Sequence, residues 1–355
     1  MSTRSARGGA AAAIRSAVAG AVVARLSYSI LGARPPGGMA NWTRTNHRGE
    51  SVTLLEGPAI AIGGVAGALA AGGSSRDRLA MAIAGAGAAA FGGYDDLAGN
   101  GTNKGFRGHL GALRNGELTT GAVKLAGIGA VGLAAAVIAE GSADSGHRAG
   151  KVVGRRTVTA ALADTVINAG LIAGGANLLN LFDLRPGRAV KVALIAGSLL
   201  TPAGTGASAG PLAAAAALLP EDLGERAMLG DAGANALGAM LGTAAATSLP
   251  RPARLAALGV VTGLTAASEV VSFTKIIERT GPLRWLDMLG RRPAPAPVPA
   301  AQAHAPAPAA QPAPASAQRA SAQQASAQPR SESASASASA VGKHRAPTMP
   351  SAEAR

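Results

Sequence analysis

Four aspartates fall in three short polar clusters, each closing or opening an apolar stretch rich in Ala and Gly. The clusters are Gly93-Tyr94-Asp95-Asp96, the run from Asn177 to Asp183, and the run from Leu229 to Asn235 that holds Asp231. A charge taken out of water is costly, so carboxylates at such positions need a compensating partner. Convergence on a divalent cation and a phosphate is the simplest one. Adjacent Asp95 and Asp96 repel each other unless a cation or a proton neutralises them. Hard oxygen ligands suit Mg²⁺ or Mn²⁺, which take one or two carboxylates together with substrate phosphates. A hydrated Asp-Asp pair in a loop accounts for these two residues equally well.

Asn177, Asn180 and Asp183 recur every three residues and so share roughly one helical face. Amides there can donate to phosphate oxygens or orient the carboxylate; helix C-capping explains only part of the set. Arg185, Arg188 and Lys191 follow as a basic turn around Pro186 and Gly187. That turn could hold an anionic headgroup, or simply mark an inner-side loop. Asp231 opens a helix, either as an ordinary N-cap or where small neighbours admit a metal-bound phosphate at the positive helix end. Asp164 and Asn168, one turn apart in an apolar stretch, read as an interfacial polar contact, and Glu269 as an ancillary site residue. His109 and His147 sit alone and read as solvated. The chain has no Walker A motif, dinucleotide-binding glycine loop or nucleophile elbow.

The elements that must position these groups read as membrane helices. Of 355 residues, 48% are apolar but only 2% aromatic, and the apolar residues come in runs approaching the ~20 needed to cross a bilayer. The expected fold is all-α, a polytopic membrane helix bundle of about nine or ten transmembrane helices. Nine spans are placed at 9–33, 54–73, 79–94, 121–139, 157–176, 189–204, 207–220, 232–248 and 255–273. Arg15 and Arg25 interrupt the first, which reads as a poor membrane helix rather than a cleaved signal. Small residues four apart, as at Gly63/Gly67 and Gly238/Gly242, support helix packing without locating an interface.

A net charge of +14 comes without the basic-aromatic patches or zinc ligands of a nucleic-acid binder, so no nucleic-acid partner is expected. The absence of Cys excludes disulfides and thiolate chemistry. Lys and Arg divide about sixteen against eight between alternate loops, which places the richer set, and all three acidic clusters, on the cytoplasmic side. The stretch 270–289 reads as an amphipathic segment at that interface, interrupted by Pro282. Residues 1–292 form the membrane domain. The Pro/Ala/Ser/Gln-rich tail 293–355 cannot bury enough surface to order itself.

Taken in order, the clusters resemble those of the polyprenyl-phosphate N-acetylhexosamine-1-phosphate transferases, the family of the phospho-MurNAc-pentapeptide translocase. Asp95-Asp96 is similar to the family's paired aspartates, Asn177-x-x-Asn180-x-x-Asp183 to its Asn-Ala-x-Asn-x-x-Asp motif, and Leu229-Gly-Asp231-x-Gly233 to its Met-Gly-Asp-x-Gly motif. Thr45-Asn46-His47-Arg48-Gly49 is similar to the basic loop after its first helix. The resemblance implies transfer of a sugar-1-phosphate from a nucleotide-sugar, a UDP-N-acetylhexosamine, to a polyprenyl phosphate in cell-envelope polysaccharide or peptidoglycan synthesis. It implies a multi-pass protein of a bacterial-type inner membrane with a cytoplasmic site, and leaves a homodimer open. By the same resemblance Asp231 would bind Mg²⁺ (or Mn²⁺), aided by Asp96 or Asp183, and Asp95 would sit near the lipid phosphate. Asn177, Asn180, Arg185, Arg188, Lys191, Arg48 and Asn46 would meet the substrates. Pro186 stands where the family commonly has a further Asp, and 275–292 holds no counterpart of its His-rich loop. The other implied function is a catalytically degenerate member that binds lipid phosphate as a scaffold or regulator.

Overall fold

The computed structural model describes residues 3–99, 116, 119–143, 158–200 and 206–293. The tail expected to be disordered lies outside the described residues from 294 onward, as do His109, His147 and the basic stretch 148–156. The helices are α1 (Thr3–Ala33), α2 (Met39–Trp42), α3 (Glu56–Ala70), α4 (Ser75–Ala98), α5 (Thr120–Ala143) and α6 (Val158–Phe182). They continue as α7 (Arg188–Leu200), α8 (Ala209–Leu223), α9 (Gly230–Ser248), α10 (Arg251–Ser268), α11 (Phe273–Arg279) and α12 (Gly281–Met288). A small antiparallel hairpin, β1 (Thr43–Thr45) with β2 (Ser51–Thr53), bridges α2 and α3.

Among the described residues, each of the nine apolar segments expected from sequence overlaps a helix. Three are long and apolar enough to cross a membrane, at Gly8–Ala33, Thr120–Glu140 and Val158–Phe182. A fourth span arises if α10 and α11, bent by 96° at their junction, are counted together. The others are helical but shorter or more polar; α3 has 15 residues. Along α1, Ile14, Val18, Val22, Leu26 and Ile30 are each half-exposed or more. Four-residue spacing aligns them in one apolar stripe, which suits lipid rather than water.

The core is α9, in which every residue from Ala232 to Ala246 is buried against α3, α4 and α6. Gly238 and Gly242 lie against the backbone of α6 at Gly175 and Leu171, while Gly63 and Gly67 lie against α1 at Gly20 and Ser16. The small-residue spacing therefore does mark two interfaces. The amphipathic stretch breaks at Thr280–Pro282 into α11 and α12, and Phe273 stacks on Phe182 with centroids 5.0 Å apart.

At the opposite end of α6 from Asp183, Asp164 pairs with Arg251 at 3.1 Å and Arg254 at 3.3 Å. Asn168 bonds Glu140 at 2.9 Å and Arg254 at 2.6 Å. The interfacial polar contact expected there is a buried network tying α5, α6 and α10 together. Glu269 is the C-cap of α10.

Candidate functional site

Three helix ends meet at one end of the bundle. The last turns of α4 carry Asp95 and Asp96, the start of α5 carries Lys124, and the start of α9 carries Asp231. Lys124 Nζ lies 2.7 Å from Asp95 Oδ2 and 2.5 Å from Asp231 Oδ2. Two carboxylates from distant parts of the chain thus close on one ammonium. Asp96 does a different job. Its Oδ1 accepts from the Asp231 N–H at 3.0 Å and its Oδ2 from the Ala232 N–H at 2.9 Å. The N-terminal amides of α9, orphaned in any helix, are therefore capped from α4. The N-cap role considered for Asp231 falls to Asp96, leaving the Asp231 carboxylate free to face Lys124.

Glycine makes this meeting possible. A Cβ on Gly92 would stand 2.3 Å from the Asp231 carbonyl oxygen, and one on Gly57 would stand 2.1 Å from the Leu229 carbonyl oxygen. Gly230, with φ +59°, turns the chain into α9 beside the Asp96 carboxylate.

Asp183 sits behind the cluster and accepts from the Gly230 N–H. Burial, with Asp222, Asp231 and Asp96 nearby, pushes its carboxyl well above the usual range. Burial also pushes Asp96 up to about 7, with Asp231 adding to the effect and the two α9 amides opposing it. Asp231 is pushed up by burial against the pull of Lys124. Asp95 is held low despite burial, by hydrogen bonds from Asp231, Lys124 and Thr120.

A cavity of about 120 Å³ opens beside Asp183, lined by Asn46, His47, Arg185, Pro186, Asp222 and Glu225 among others. Asp222 is buried, its Oδ2 has no hydrogen-bond partner among the described residues, and burial pushes it up to about 7. Glu56, at the start of α3, is fully buried, and neither of its oxygens has a hydrogen-bond partner among the described residues. A second, open groove of about 530 Å³ runs between α3 and α4 and reaches Ala232.

Asp95, Asp96 and Asp231 thus come together, with Asp183 next to them. Asn177 and Asn180 lie half-buried on the last turns of α6. Asn46 and Arg185 border the cavity. Arg48 pairs with Glu225 at 2.9 Å and donates to the carbonyls of Arg292 and Pro293. Arg188 and Lys191 are engaged elsewhere. Arg188 Nε holds the buried Asp287 carboxylate of α12 at 2.7 Å, and Lys191 Nζ donates to the Leu286 and Asp287 carbonyls. These two cations fasten α12 onto α7.

Lys124 is counted from sequence as one of the inner-side loop cations, and its place between Asp95 and Asp231 is what that count misses. Its signal is its place, a lone cation inside an otherwise apolar helix. Asp222 and Glu225 carry a signal too, since Glu221, Asp222 and Glu225 put three acids within five residues of an acid-poor chain.

No protein-family model and no curated protein matches this chain. Among the described residues no group of three or more His, Asp or Glu side chains forms a ready metal cage. Mg²⁺ does not require one, because it binds through one or two carboxylates plus substrate phosphates and water. Asp95 and Asp231 meet that requirement, with oxygens converging on a single cationic point.

Proposed function

We propose that the chain is a membrane phosphoglycosyl transferase, moving a sugar-1-phosphate from a nucleotide-sugar, in the first place a UDP-N-acetylhexosamine, to a polyprenyl phosphate. The observation that carries this reading is the Asp95–Lys124–Asp231 contact at the start of α9, whose amides Asp96 caps, with Asp183 behind it lining a cavity. In this reading all nine apolar segments span a bacterial-type inner membrane, the site faces the cytoplasm, and the product enters cell-envelope polymer synthesis. A phosphate oxygen of the lipid attacks the β-phosphorus of the donor, the bond to the α-phosphate bridging oxygen breaks, and UMP leaves. Such transfer needs positioning and neutralised charge more than covalent help from the protein. Bound Mg²⁺ would neutralise the diphosphate, held by Asp231 with Asp95 in the second place first expected of Asp96 or Asp183. Asp96 keeps α9 in position. Lys124 balances the carboxylates and meets lipid phosphate, and Asn46, Arg185, Asn177 and Asn180 border the donor.

Membrane preparations supplied with undecaprenyl phosphate, Mg²⁺ and a panel of labelled nucleotide-sugars are expected to form a lipid-linked sugar phosphate with at least one donor. Asp231→Asn is expected to remove that product while inserting normally. If no donor reacts, the transferase reading fails. The scaffold reading then takes its place, favoured by Arg188 and Lys191 being committed to α12 rather than to substrate.

The raised carboxyls set a pH dependence for the metal. Asp96 and Asp222 reach about 7 in the folded chain against an ordinary value near 4, so the folded state holds extra protons between those values. The stability they contribute is fully present below about pH 4 and is lost as pH rises through about 7. A bound dication offsets that loss only where the protons have gone. Excess Mg²⁺ is therefore expected to raise the Tm more at about pH 8 than at about pH 5.5, read by thermal unfolding in detergent. Equal shifts at both would take these carboxyls out of the cation's surroundings.

A further inference from the structure

α10 has 18 residues, about 27 Å of helix, which nearly covers the ~30 Å hydrocarbon core. At its end the chain turns by 96° into α11. A helix at right angles to a span lies along the membrane surface, and α11 takes that course. It does so at the end of the bundle that holds Asp183, because Phe273 stacks on Phe182 and Asp287 pairs with Arg188. The inward faces of α11 and α12 are taken. Besides those two contacts, Lys191 holds the Leu286 and Asp287 carbonyls, and Arg292 binds both oxygens of Glu50 at 2.7 and 3.0 Å. The arm is therefore fixed in orientation, and what it turns outward is a property of the fold.

Trp285 and Leu289 stand two residues to either side of Asp287, on the far side of α12 from it, and are 67% and 51% exposed. An open groove of about 490 Å³ follows this face, lined by Arg284, Trp285, Met288 and Leu289 among others. Lys275, Arg279 and Arg284 are exposed beside these apolar residues, and none of the three has a carboxylate partner among the described residues. The one acid of α11, Glu278, lies against Arg185 at 4.0 Å. Exposed Ile276, Val271 and Val270 carry the apolar surface back to α10, where Leu255, Val260 and Leu264 are exposed in turn. That continuity with a membrane-spanning face points to lipid as the occupant. The cations select its charge. Aromatic rings settle at headgroup level, and Lys and Arg next to them are drawn to anionic phosphates.

We propose that α11 and α12 dock on anionic phospholipid of the leaflet at the Asp183 end of the bundle. Trp285 and Leu289 enter the acyl boundary, while Lys275, Arg279 and Arg284 meet the phosphates. The docking rests on the placement of these two helices and is independent of the transferase reading.

The test uses the full chain in nanodiscs of phosphatidylcholine into which phosphatidylglycerol is titrated, one lipid or the other carrying brominated acyl chains. Bromine quenches a tryptophan only at close range. The chain has two tryptophans, and Trp285→Phe supplies the background from buried Trp42. At matched brominated fractions, brominated phosphatidylglycerol is expected to quench Trp285 more than brominated phosphatidylcholine does. Arg284→Gln, a change at an exposed side chain, is expected to raise the phosphatidylglycerol content needed for half of that quench about fivefold, the share of one cation at a charged surface. Added salt should weaken the preference in the wild type. Equal quenching by the two lipids, an unchanged titration in Arg284→Gln, or a Trp285 reached by aqueous iodide and not by bromine would each overturn the proposal. A lipid preference without product from any nucleotide-sugar would sink the transferase reading and leave the docking standing. Product with equal quenching would do the reverse.

Discussion

Lys124→Met is expected to cost about 100- to 1,000-fold in turnover, the scale on which removing one preorganised charge from a reacting site is felt. The side chain is nearly isosteric, so packing of α5 against α4 is kept while the ammonium is lost. Asp95 and Asp231 then face each other with no resident cation. Leaving a buried charge without its partner typically costs about 3–5 kcal/mol; here Asp231, already pushed up, can take a proton and soften that loss. The variant should therefore fold with a lower Tm, and Mg²⁺ should restore a larger share of it than in the wild type, because the dication inherits an empty pair of carboxylates. Thermal unfolding with and without Mg²⁺ reads the second effect independently of turnover. A Lys124→Met protein with turnover within a few-fold of wild type would remove Lys124 from the chemistry.

The bundle was legible because its signal is periodic and long: runs of Ala, Val, Leu and Gly between polar loops place nine helices with only their ends in error. The gathering of the aspartates was legible as well, since loop charge sorts all three clusters to one side. Which carboxylate does what was not. Asp231 precedes a helix and looks like its cap, but the cap comes from Asp96, more than a hundred residues earlier, and chain spacing carries no trace of such a contact. Arg188 and Lys191 looked like headgroup ligands because they follow the Asn/Asp run. They are committed instead to Asp287, whose partner could not be known before α12 folded back. Charge type is readable along a chain, whereas charge pairing is a property of the packed helices.

Gly92→Ala tests whether the site depends on that packing. In most helices a Gly-to-Ala change stabilises by up to about 1 kcal/mol. At Gly259, where a new methyl meets nothing within 4 Å, the same change should leave the Tm level or raise it. At Gly92 the methyl would stand 2.3 Å from the Asp231 carbonyl oxygen and 2.9 Å from the Ala232 nitrogen, atoms of backbone that cannot swing away. Something must move, and the start of α9 is what the methyl strikes. Overpacking of this kind costs about 1–3 kcal/mol, and loss of the Asp96 cap adds about 1 kcal/mol more. Displacement of reacting groups by ~1 Å is enough for a 100-fold loss of rate, so turnover should fall at least that far even where the variant folds. The sign of the Tm change is the discriminating readout: a Gly92→Ala protein as stable and as active as its Gly259→Ala counterpart would mean that the Asp231 backbone is not held against α4, and the geometry from which the function was argued would be lost with it.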